Sequence, residues 1–470
     1  MTSKYFVKEL ENANEMQPRR RRFVFTGTLL GLSPLSSVLG SSDVSKRTDK
    51  PIIPGASSTG IFPLRVEAGK RYLVDASNRP FLIQGDTAWS LIVRLSREQA
   101  EFYLDDRRKK NFNTILVNLI EHEFSDSPPK NYYGDNPFLI HGDFGVPNER
   151  YFAHVDYLIG KAAEKGILVM LAPAYMGFGG GSEGWYREMR VNGATKLRAY
   201  GRYLATRFRN RANILWVHGG DFNPPEKALL QALVGGIRDV DSRVLNTFHG
   251  ARGTSATDFL GLEVPWLQVG TIYTDAFNVV TKAFQEYGRS QKPFFLIEAR
   301  YEGDEGANEL TVRLQAYQTV LSGGCGQVMG NGSIWQFGDG WQRALGSEGA
   351  YTLAYLRSLL EARAWTKLVP DTANTFLTSG VQQGAERAVA AVARDRSFGL
   401  IYMPSVRSVS LNLAQLTGPT VSAHWYDPTN GQLFVVFGSP FPASGMHEFL
   451  PAAQNARRQG DWVLLLESTK

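Results

Sequence analysis

The sequence predicts an α/β fold, a (β/α)8 TIM barrel followed by a C-terminal antiparallel β-sandwich. Three observations support this prediction. Eight apolar runs that end in polar or glycine residues alternate with amphipathic segments between residues 81 and 337. From residue 372 onwards, helical periodicity gives way to short alternating strands separated by Gly, Pro, Asn and Asp. With 470 residues, 43% of them hydrophobic, the chain can bury one large and one smaller core.

The chain divides into four predicted segments. Residues 1–40 form an export signal, 41–59 a polar linker, 60–370 the barrel and 371–470 the β-sandwich.

The N-terminal segment has the outline of an export signal. Four arginines at 19–22 precede Phe23 and a weakly apolar stretch, which resembles a twin-arginine signal and predicts a periplasmic or extracellular protein. A membrane anchor is the alternative, but a span needs about 20 solidly apolar residues. This stretch is interrupted by Gly27, Gly31 and Pro34, so we expect no stable membrane insertion.

Charge and cysteine content exclude several kinds of partner. The formal net charge is +6, and residues 1–40 carry six Lys and Arg against three Glu, so half of the excess lies in the predicted signal. The remainder has no clustered basic patch of the kind that nucleic acid requires. The single cysteine, Cys325, excludes an intramolecular disulfide and a Cys-based metal cluster. No cofactor is predicted, and the oligomeric state is not indicated.

The eight apolar runs define the predicted barrel strands, which cover 81–89, 113–122, 167–175, 214–221, 243–250, 267–274, 294–302 and 326–337. Between them, segments such as 96–110, 148–166 and 193–210 repeat apolar residues at intervals of three and four, as amphipathic helices do. Continuous apolar strands alternating with helices indicate a parallel sheet covered on both faces. Eight such units favour a closed barrel over an open sheet.

The carboxyl ends of the strands should form one shared bowl, where barrel enzymes place their active sites. Acids, amides, imidazoles and aromatic rings occur at these ends. The candidate substrate-binding residues are Asp86, Trp89, Asn118, His122, Tyr175, His218, His249, Tyr273, Arg300 and Trp335. Aromatic planes that pack on sugar rings, together with polar groups that bond hydroxyls, are typical of a carbohydrate site. We therefore expect a carbohydrate substrate.

Two carboxylates stand out as the candidate catalytic pair. Asp221 ends the fourth run in HGGDFNPP, and Glu298 ends the seventh in FFLIEARY. Glycoside hydrolysis needs one carboxylic acid to protonate the departing oxygen and a second carboxylate to attack or to activate water. Strands four and seven face one another across an eight-stranded ring, which could bring the two groups to about 5 to 5.5 Å, the separation that favours retention.

Each candidate also has a structural alternative. Asp221 could be a turn or N-cap residue before 224–234, although Asn223 and Pro224 already serve that purpose. Glu298 could instead be a structural ion-pair partner for Arg300. Asp86 could hold the following loop in place. The histidines and Tyr273 could be satisfied structural groups.

Three motifs resemble the apiosidase-like glycoside hydrolases. They are GDTAW at 85–89, WVHGGD at 216–221 and IEARYEG at 297–303, and the similarity runs from about residue 65 to the C-terminus. The resemblance implies a retaining glycosidase in which Asp221 is the acid/base and Glu298 the nucleophile. Relatives often have Arg where this chain has Phe222, and a proline-containing variant of EARYE. Both carboxylates are retained despite these differences, which bear on the identity of the substrate. The resemblance suggests that the substrate is apiose or another furanose at a chain terminus.

The two acids need different environments. Asp221 should have a raised pKa, through burial or a nearby negative charge, so that it holds its proton. Glu298 should stay ionised, helped by Arg300 or a Tyr hydroxyl. An aspartate starts from a lower pKa than a glutamate, so a large shift or an acidic optimum is expected.

Other functions remain as alternatives. A non-catalytic carbohydrate-binding or surface protein could keep the aromatic residues, but both acids are present. A metal-dependent hydrolase would need a His/Asp/Glu ligand set, and no HxH pair or similar cluster is visible at the strand ends. A transglycosylase would use the same two carboxylates.

The predicted sandwich strands cover 387–395, 397–404, 408–416, 420–428, 431–438 and 461–468. This part resembles the C-terminal module that accompanies apiosidase-like barrels, a module once labelled collagen-binding. That label does not carry over as a function. We expect Trp425 and Tyr426 to pack against the barrel and the module to give structural support.

Overall fold

The computed structural model describes residues 60–469 and shows in that range a TIM-like barrel followed by antiparallel sheets. The predicted export signal and linker lie outside the described residues. A small antiparallel sheet precedes the barrel and consists of β1 (Arg65–Val66), β2 (Leu73–Val74) and β3 (Pro80–Phe81).

The eight barrel strands all fall inside the predicted runs and are shorter than them. They are β4 (Ile83–Thr87), β5 (Thr114–Asn118), β6 (Leu168–Ala172), β7 (Ile214–Gly219), β8 (Leu245–His249), β9 (Gly270–Tyr273), β10 (Phe294–Glu298) and β11 (Gly326–Met329). The helices of this part are α1 (Leu91–Arg94), α2 (Arg97–Lys109), α3 (Glu149–Glu164), α4 (Tyr186–Arg207), α5 (Lys227–Val240), α6 (Ala256–Leu260), α7 (Val279–Arg289), α8 (Glu309–Leu321), α9 (Trp341–Ala344) and α10 (Glu348–Glu361).

The barrel sheet is parallel, and its order β8-β7-β6-β5-β4-β11-β10-β9 joins the first strand to the last. Between β8 and β9, hydroxyl groups bridge the strands. Thr247 Oγ1 donates to the carbonyl of Val269 at 2.7 Å, and Thr271 Oγ1 donates to the carbonyl of Phe248. The two outermost strands of this order are therefore linked side by side, as a near-closed ring requires.

Side chains alternate between the barrel interior and the helix layer. On β7, Leu215 and Val217 belong to the interior cluster, whereas Trp216 packs with the surrounding helices. The period of two follows from the pleat of a strand. It decides which residue near each strand end faces the bowl.

The local sequence explains where α2 begins and where α4 is kinked. Ser96 precedes α2 and forms a capping box: its hydroxyl accepts from the N–H of Gln99, and its own N–H donates to Oε1 of Gln99. The predicted third helix starts at Gly193, and the structure has a kink there, where φ is 68°. The preceding turns from Tyr186 extend α4 towards the bowl.

The C-terminal part contains ten short strands in two antiparallel sheets. They are β12 (Leu368–Pro370), β13 (Leu377–Ser379), β14 (Val389–Ala393), β15 (Phe398–Met403), β16 (Val409–Asn412), β17 (Thr420–Tyr426), β18 (Leu433–Val435), β19 (Phe441–Pro442), β20 (Met446–Phe449) and β21 (Trp462–Ser468). Seven form one sheet, with β19 beside β17, and β13, β16 and β20 form the other. A core between the sheets includes Leu411, Ile401 and Leu464.

The central strands β15 and β21 of the seven-stranded sheet are buried on both faces. The second face of this sheet packs on α8 and α10, where Leu400 and Leu465 join the same apolar cluster as Leu314 and Leu356. This explains the run WVLLLE in β21, since a strand covered on both sides is apolar at successive positions. Tyr426 packs on the barrel as expected and donates to the carbonyl of Tyr355 at 2.9 Å.

Trp425 differs from the prediction. Its ring lies in the core between the two sheets, 6.3 Å from the ring of Trp462. Successive residues of β17 face opposite sides, so only one member of the Trp-Tyr pair can face the barrel.

A buried ion pair also joins the two parts. Arg313 of α8 donates through Nε and Nη2 to both carboxylate oxygens of Asp461, each at 2.9 Å, and both side chains are fully buried. The hydroxyl of Tyr402 donates to Asp461 at 3.0 Å, and its ring stacks on Tyr317 at 4.6 Å.

We expect Asp461→Ala to lower the free energy of unfolding by about 3 to 5 kcal/mol, because it leaves a buried guanidinium without its counter-ion. Guanidinium chloride titration followed by circular dichroism measures this change. Asp395→Asn, in the exposed Lys367–Asp395 pair, is the control and should leave the midpoint unchanged. Equal midpoints for both variants would contradict the prediction.

Among the described helices, none combines the length and the apolar character needed to cross a bilayer.

Candidate active site

Asp221, which follows β7, and the two glycines before it have an unusual backbone conformation. Gly219, Gly220 and Asp221 have φ values of 91°, 116° and 50°, so three consecutive residues adopt positive φ. A Cβ at Gly219 would lie 2.4 Å from the carbonyl oxygen of His249, and one at Gly220 would lie 2.3 Å from the ring of Tyr175. Both positions therefore require glycine, and the two glycines turn Asp221 into the bowl.

The carboxylate of Asp221 is largely enclosed. Its Oδ2 accepts a hydrogen bond from the hydroxyl of Tyr175 at 2.7 Å, while Oδ1 is buried without a hydrogen-bond partner in the described part of the chain. Burial, followed by the charge of Glu298, raises the pKa of Asp221 to about 6, against the opposing effects of His249 and the Tyr175 hydroxyl. This shift is the one that an acid catalyst requires.

Glu298 ends β10 and is 9% exposed. Its Oε2 lies 2.7 Å from Nε2 of His249, and Nδ1 of His249 lies 3.1 Å from the backbone N–H of Asp221. In the neutral ring, Nδ1 therefore accepts from Asp221 while Nε2–H donates to Glu298. Burial opposes the charged form of His249, but the hydrogen bond and charge of Glu298 prevail and raise its pKa.

Asp221 and Glu298 face one another closely. One oxygen of each carboxylate and one ring nitrogen of His249 all lie within 4.8 Å of one another. The fold thus brings the ends of β7, β8 and β10 to one point.

Aromatic side chains form the wall beside this pair. The ring of Trp89 lies 6.0 Å from that of Tyr175 and 5.7 Å from that of His249, and the ring of Tyr273 lies 5.1 Å from that of His249. Trp89 Nε1 donates to the hydroxyl of Tyr301 at 3.0 Å. Three predicted residues, Trp89, Tyr175 and Tyr273, thus lie next to the acids.

Two further predicted residues lie at the carboxyl end of β5 and in the loop that follows it. Asn118 is buried and donates through Nδ2 to Glu121 at 3.0 Å, while its Oδ1 is without a partner among the described residues. His122 is partly exposed, lies 3.1 Å from a carboxylate oxygen of Glu188 and packs on the ring of Trp185. Both remain predicted substrate contacts.

Asp86 does not line the bowl. It is fully buried, accepts from the hydroxyl of Tyr103 at 2.7 Å and lies 3.4 Å from Nη1 of Arg107, both on α2. Burial raises the pKa of Asp86 to about 6 despite that guanidinium. The expected sugar contact is therefore corrected to a strand–helix anchor, because residue 86 points outward in the alternation of β4.

His218 also faces the helix layer. It is buried, its Nε2 lies 2.9 Å from Oδ1 of Asn246, and its ring packs on Trp266. Burial lowers its pKa to about 4. His249 is fully buried as well and uses its ring nitrogens within the site. The expected substrate contacts are corrected to a structural role for His218 and a positioning role for His249.

Arg300 and Trp335 lie near the rim. The backbone of Arg300 is clamped by Gln315 of α8, which accepts from its N–H at 3.0 Å and donates to its carbonyl at 3.1 Å. Trp335 is half-buried in the turn after β11, with its ring 5.1 Å from that of Phe124. Their contact with substrate stays a prediction.

Sequence reasoning missed Tyr301 and Glu121. Tyr301 lies in the quoted EARYE motif, and Gly330 makes room for it, since a Cβ there would lie 2.0 Å from the tyrosine ring. Glu121 binds Asn118 and the backbone N–H of His122. Two sequence features could have indicated them: Gly330, directly after β11, for Tyr301, and an acid three residues after Asn118 for Glu121.

The cluster of Asp221, His249 and Glu298 offers three possible metal ligands. The expectation that no such set assembles at the strand ends is corrected, because residues far apart in sequence meet in the fold. Two contacts oppose metal binding. The direct 2.7 Å bond between His249 and Glu298 would have to break, and Tyr175 already occupies Oδ2 of Asp221. The three residues are therefore better arranged for proton transfer than for metal binding.

Two family models match this chain. The family model "Apiosidase-like, catalytic domain" matches residues 67–367, and "Putative collagen-binding domain of a collagenase" matches 369–467. A comparison with curated proteins gave no match.

Two solved structures are similar in fold. A protein described as a glycoside hydrolase has 24% identity and a TM-score of 0.76, over 87% of this chain and 97% of its own. A glycoside hydrolase family 5 protein from Bacteroides vulgatus has 23% identity and a TM-score of 0.76, over 86% and 93%.

The TIM-like barrel and the catalytic-domain match together make this protein a glycoside hydrolase. The chain belongs to the apiosidase-like family, with the barrel as its catalytic domain.

Proposed function

We propose that this protein is a retaining glycoside hydrolase that removes a terminal sugar from polysaccharide or glycan side chains. The observation that carries the proposal is the placement of two carboxylate oxygens, one from Asp221 and one from Glu298, within 4.8 Å of one another. Retaining enzymes hold their carboxyl groups about 5 to 5.5 Å apart, whereas inverting enzymes need about 6.5 to 9.5 Å to admit a water.

In the first step, the carboxylate of Glu298 attacks the anomeric carbon and Asp221 gives its proton to the departing glycosidic oxygen. The hydrogen bond from His249 orients Glu298 for this attack. In the second step, ionised Asp221 takes a proton from water, which attacks the same carbon and releases the sugar with its original configuration. An acceptor sugar in place of water would give transglycosylation.

The sugar and the mode of action are further parts of the proposal. The family assignment suggests apiose or another furanose. Long connections at 119–148 after β5 and 173–185 after β6 lie on the bowl rim and support a closed pocket, hence release of a terminal unit. The twin-arginine-like segment supports export. The extensive contact of the second sheet with α8 and α10 supports a structural role for the C-terminal part.

A panel of 4-nitrophenyl furanosides and pyranosides tests the proposal with the wild type and Glu298→Ala. We expect the wild type to hydrolyse at least one glycoside, with proton NMR showing the retained anomer as the first product. An inverted first product would refute the mechanism. Absence of turnover across the panel and on plant polysaccharides would favour a non-catalytic carbohydrate-binding protein.

The three-residue ligand set favours one second candidate, a metal-dependent hydrolase. Dialysis against EDTA distinguishes the two. We expect full activity after dialysis, and a loss restored by Zn²⁺ or Mn²⁺ would favour the metal-dependent alternative.

A further inference from the structure

A glycine-rich loop after β6 displays one aromatic residue at its tip. Residues Met176 and Trp185 at its base are buried, whereas Phe178 is 66% exposed. Gly177, Gly179 and Gly180 have φ values of 89°, 62° and 75°. The loop therefore turns back sharply on either side of Phe178, through conformations that side chains other than glycine rarely adopt.

The loop is bonded to the segment that carries the acid/base. At its base, the N–H of Met176 donates to the carbonyl of Gly219 at 3.1 Å, and at its tip the N–H of Gly179 donates to the carbonyl of Asp221 at 3.2 Å. The N–H of Phe178 itself donates to the carboxylate of Glu183 at 2.6 Å. The backbone on both sides of the Phe178 side chain is thus held.

Side-chain packing beneath the loop tip also places it next to Asp221. A Cβ added to Gly180 would lie 3.0 Å from the ring of Phe222, which directly follows Asp221, and 3.1 Å from the ring of Tyr186. The rings of Phe222 and Tyr186 pack edge to face at 4.9 Å. The loop tip therefore rests on an aromatic base that includes the residue directly after Asp221. The loop follows β6, which pairs with β7 on the edge opposite to β8, the strand that ends in His249.

This position matters because of the proton transfer. The following inference rests on the proposed function, in which Asp221 protonates the oxygen of the leaving group. The leaving group must then occupy the Asp221 side of the cleaved bond. An exposed aromatic face at that place suits the apolar face of a sugar ring or an aromatic aglycone.

We propose that Phe178 forms the leaving-group subsite, packing its ring against the first ring beyond the cleaved bond. Phe178 is then a specificity-determining residue that takes part in no proton transfer. Its contribution should depend on the presence of a ring in the leaving group and be independent of the sugar that is transferred.

A comparison of two substrates with the same sugar isolates this contact. The substrates are a 4-nitrophenyl glycoside, identified by the panel above, and the corresponding glycosyl fluoride, whose one-atom leaving group cannot reach Phe178. For Phe178→Ala we expect kcat/KM to fall about fivefold to tenfold on the nitrophenyl glycoside, mainly through KM, and to stay unchanged on the fluoride. Phe178→Tyr should retain the wild-type value on both.

Phe277→Ala is the matched control, because Phe277 is a similarly exposed phenylalanine, 61% accessible, on the loop after β9. It should change neither substrate. No loss in Phe178→Ala, an equal loss on both substrates, or the same selective loss in Phe277→Ala would overturn the inference. Circular dichroism melting curves confirm that each variant is folded.

The same experiment separates this inference from the proposed function. If the wild type hydrolyses both substrates and Glu298→Ala neither, the proposed function stands, and only the Phe178 result decides the inference. If the wild type hydrolyses neither substrate, or Glu298→Ala hydrolyses both, the proposed function fails and the inference fails with it.

Discussion

Replacing Glu298 by alanine is expected to lower kcat by roughly 10⁵-fold or more, the scale found when a hydrolase loses its nucleophile. The reason is that Glu298 alone would form the covalent bond to the sugar, and among the described residues no other carboxylate is hydrogen-bonded to His249. Initial rates with the best nitrophenyl glycoside measure the loss. A residual rate above about one per cent of wild type would exclude Glu298 as the nucleophile.

Two controls are needed to interpret the result for Glu298→Ala. Glu305→Gln, in the exposed loop that follows β10, should retain wild-type activity and shows that substitution nearby is tolerated. Sodium azide should restore turnover of Glu298→Ala with the nitrophenyl substrate and give a glycosyl azide of inverted configuration, because azide attacks from the side left vacant by the carboxylate. A retained azide would assign Glu298 to the other catalytic role.

The barrel could be predicted from sequence because eight strand-like runs end at a change of composition and alternate with amphipathic segments; the clearest, in β7 and β10, are apolar over four successive residues. Such a run indicates that a strand is present, but it says less about which of its side chains face the barrel interior. A shift of one residue exchanges the two faces. The position of Asp86 and His218 near a strand end predicts that both face the bowl, whereas both point to the helix layer.

The candidate pair itself was predictable because Asp221 and Glu298 are isolated acids at the ends of apolar runs. Their supporting contacts were not. The bond between His249 and Glu298 joins residues 49 positions apart, and the placement of Tyr301 depends on the small size of Gly330, 29 positions later. Contacts of this kind are set by how strands and loops meet in space, so local composition does not reveal them.

The glycines of WVHGGD illustrate a local signal with a non-local cause. The sequence shows that two glycines precede the acid, but either could serve an ordinary turn. In the structure each is required by a different neighbour, the carbonyl of His249 for Gly219 and the ring of Tyr175 for Gly220. Asp221 itself has a φ of 50°, a conformation that aspartate tolerates better than most residues.

Replacing Asp221 by alanine is expected to have an effect that depends on the leaving group. A glycoside with a poorly acidic alcohol as leaving group needs the proton, and its kcat/KM should fall by roughly 10² to 10⁴-fold. A 2,4-dinitrophenyl glycoside needs no proton, so its kcat/KM should stay near the wild-type value. Its kcat should fall, because the second step loses its general base. Equal losses of kcat/KM on both substrates would count against the acid role.

Azide provides a second measurement on Asp221→Ala. With the dinitrophenyl glycoside it should raise kcat and yield a glycosyl azide of retained configuration, since it attacks the glycosyl-enzyme from the side where Asp221 stood. This outcome is the opposite of that expected for Glu298→Ala, so the two products assign the two roles independently.

The pH profile follows from the environment of Asp221. Burial and the charge of Glu298 raise its pKa to about 6, and the protonated form is the active one. The kcat/KM of the wild type should therefore fall as pH rises through about 6, and this limb should be absent in Asp221→Ala. In Tyr175→Phe, the hydrogen bond that favours ionised Asp221 is lost. The limb should then move to higher pH, and a shift to lower pH would contradict the assignment of Asp221 as the titrating acid.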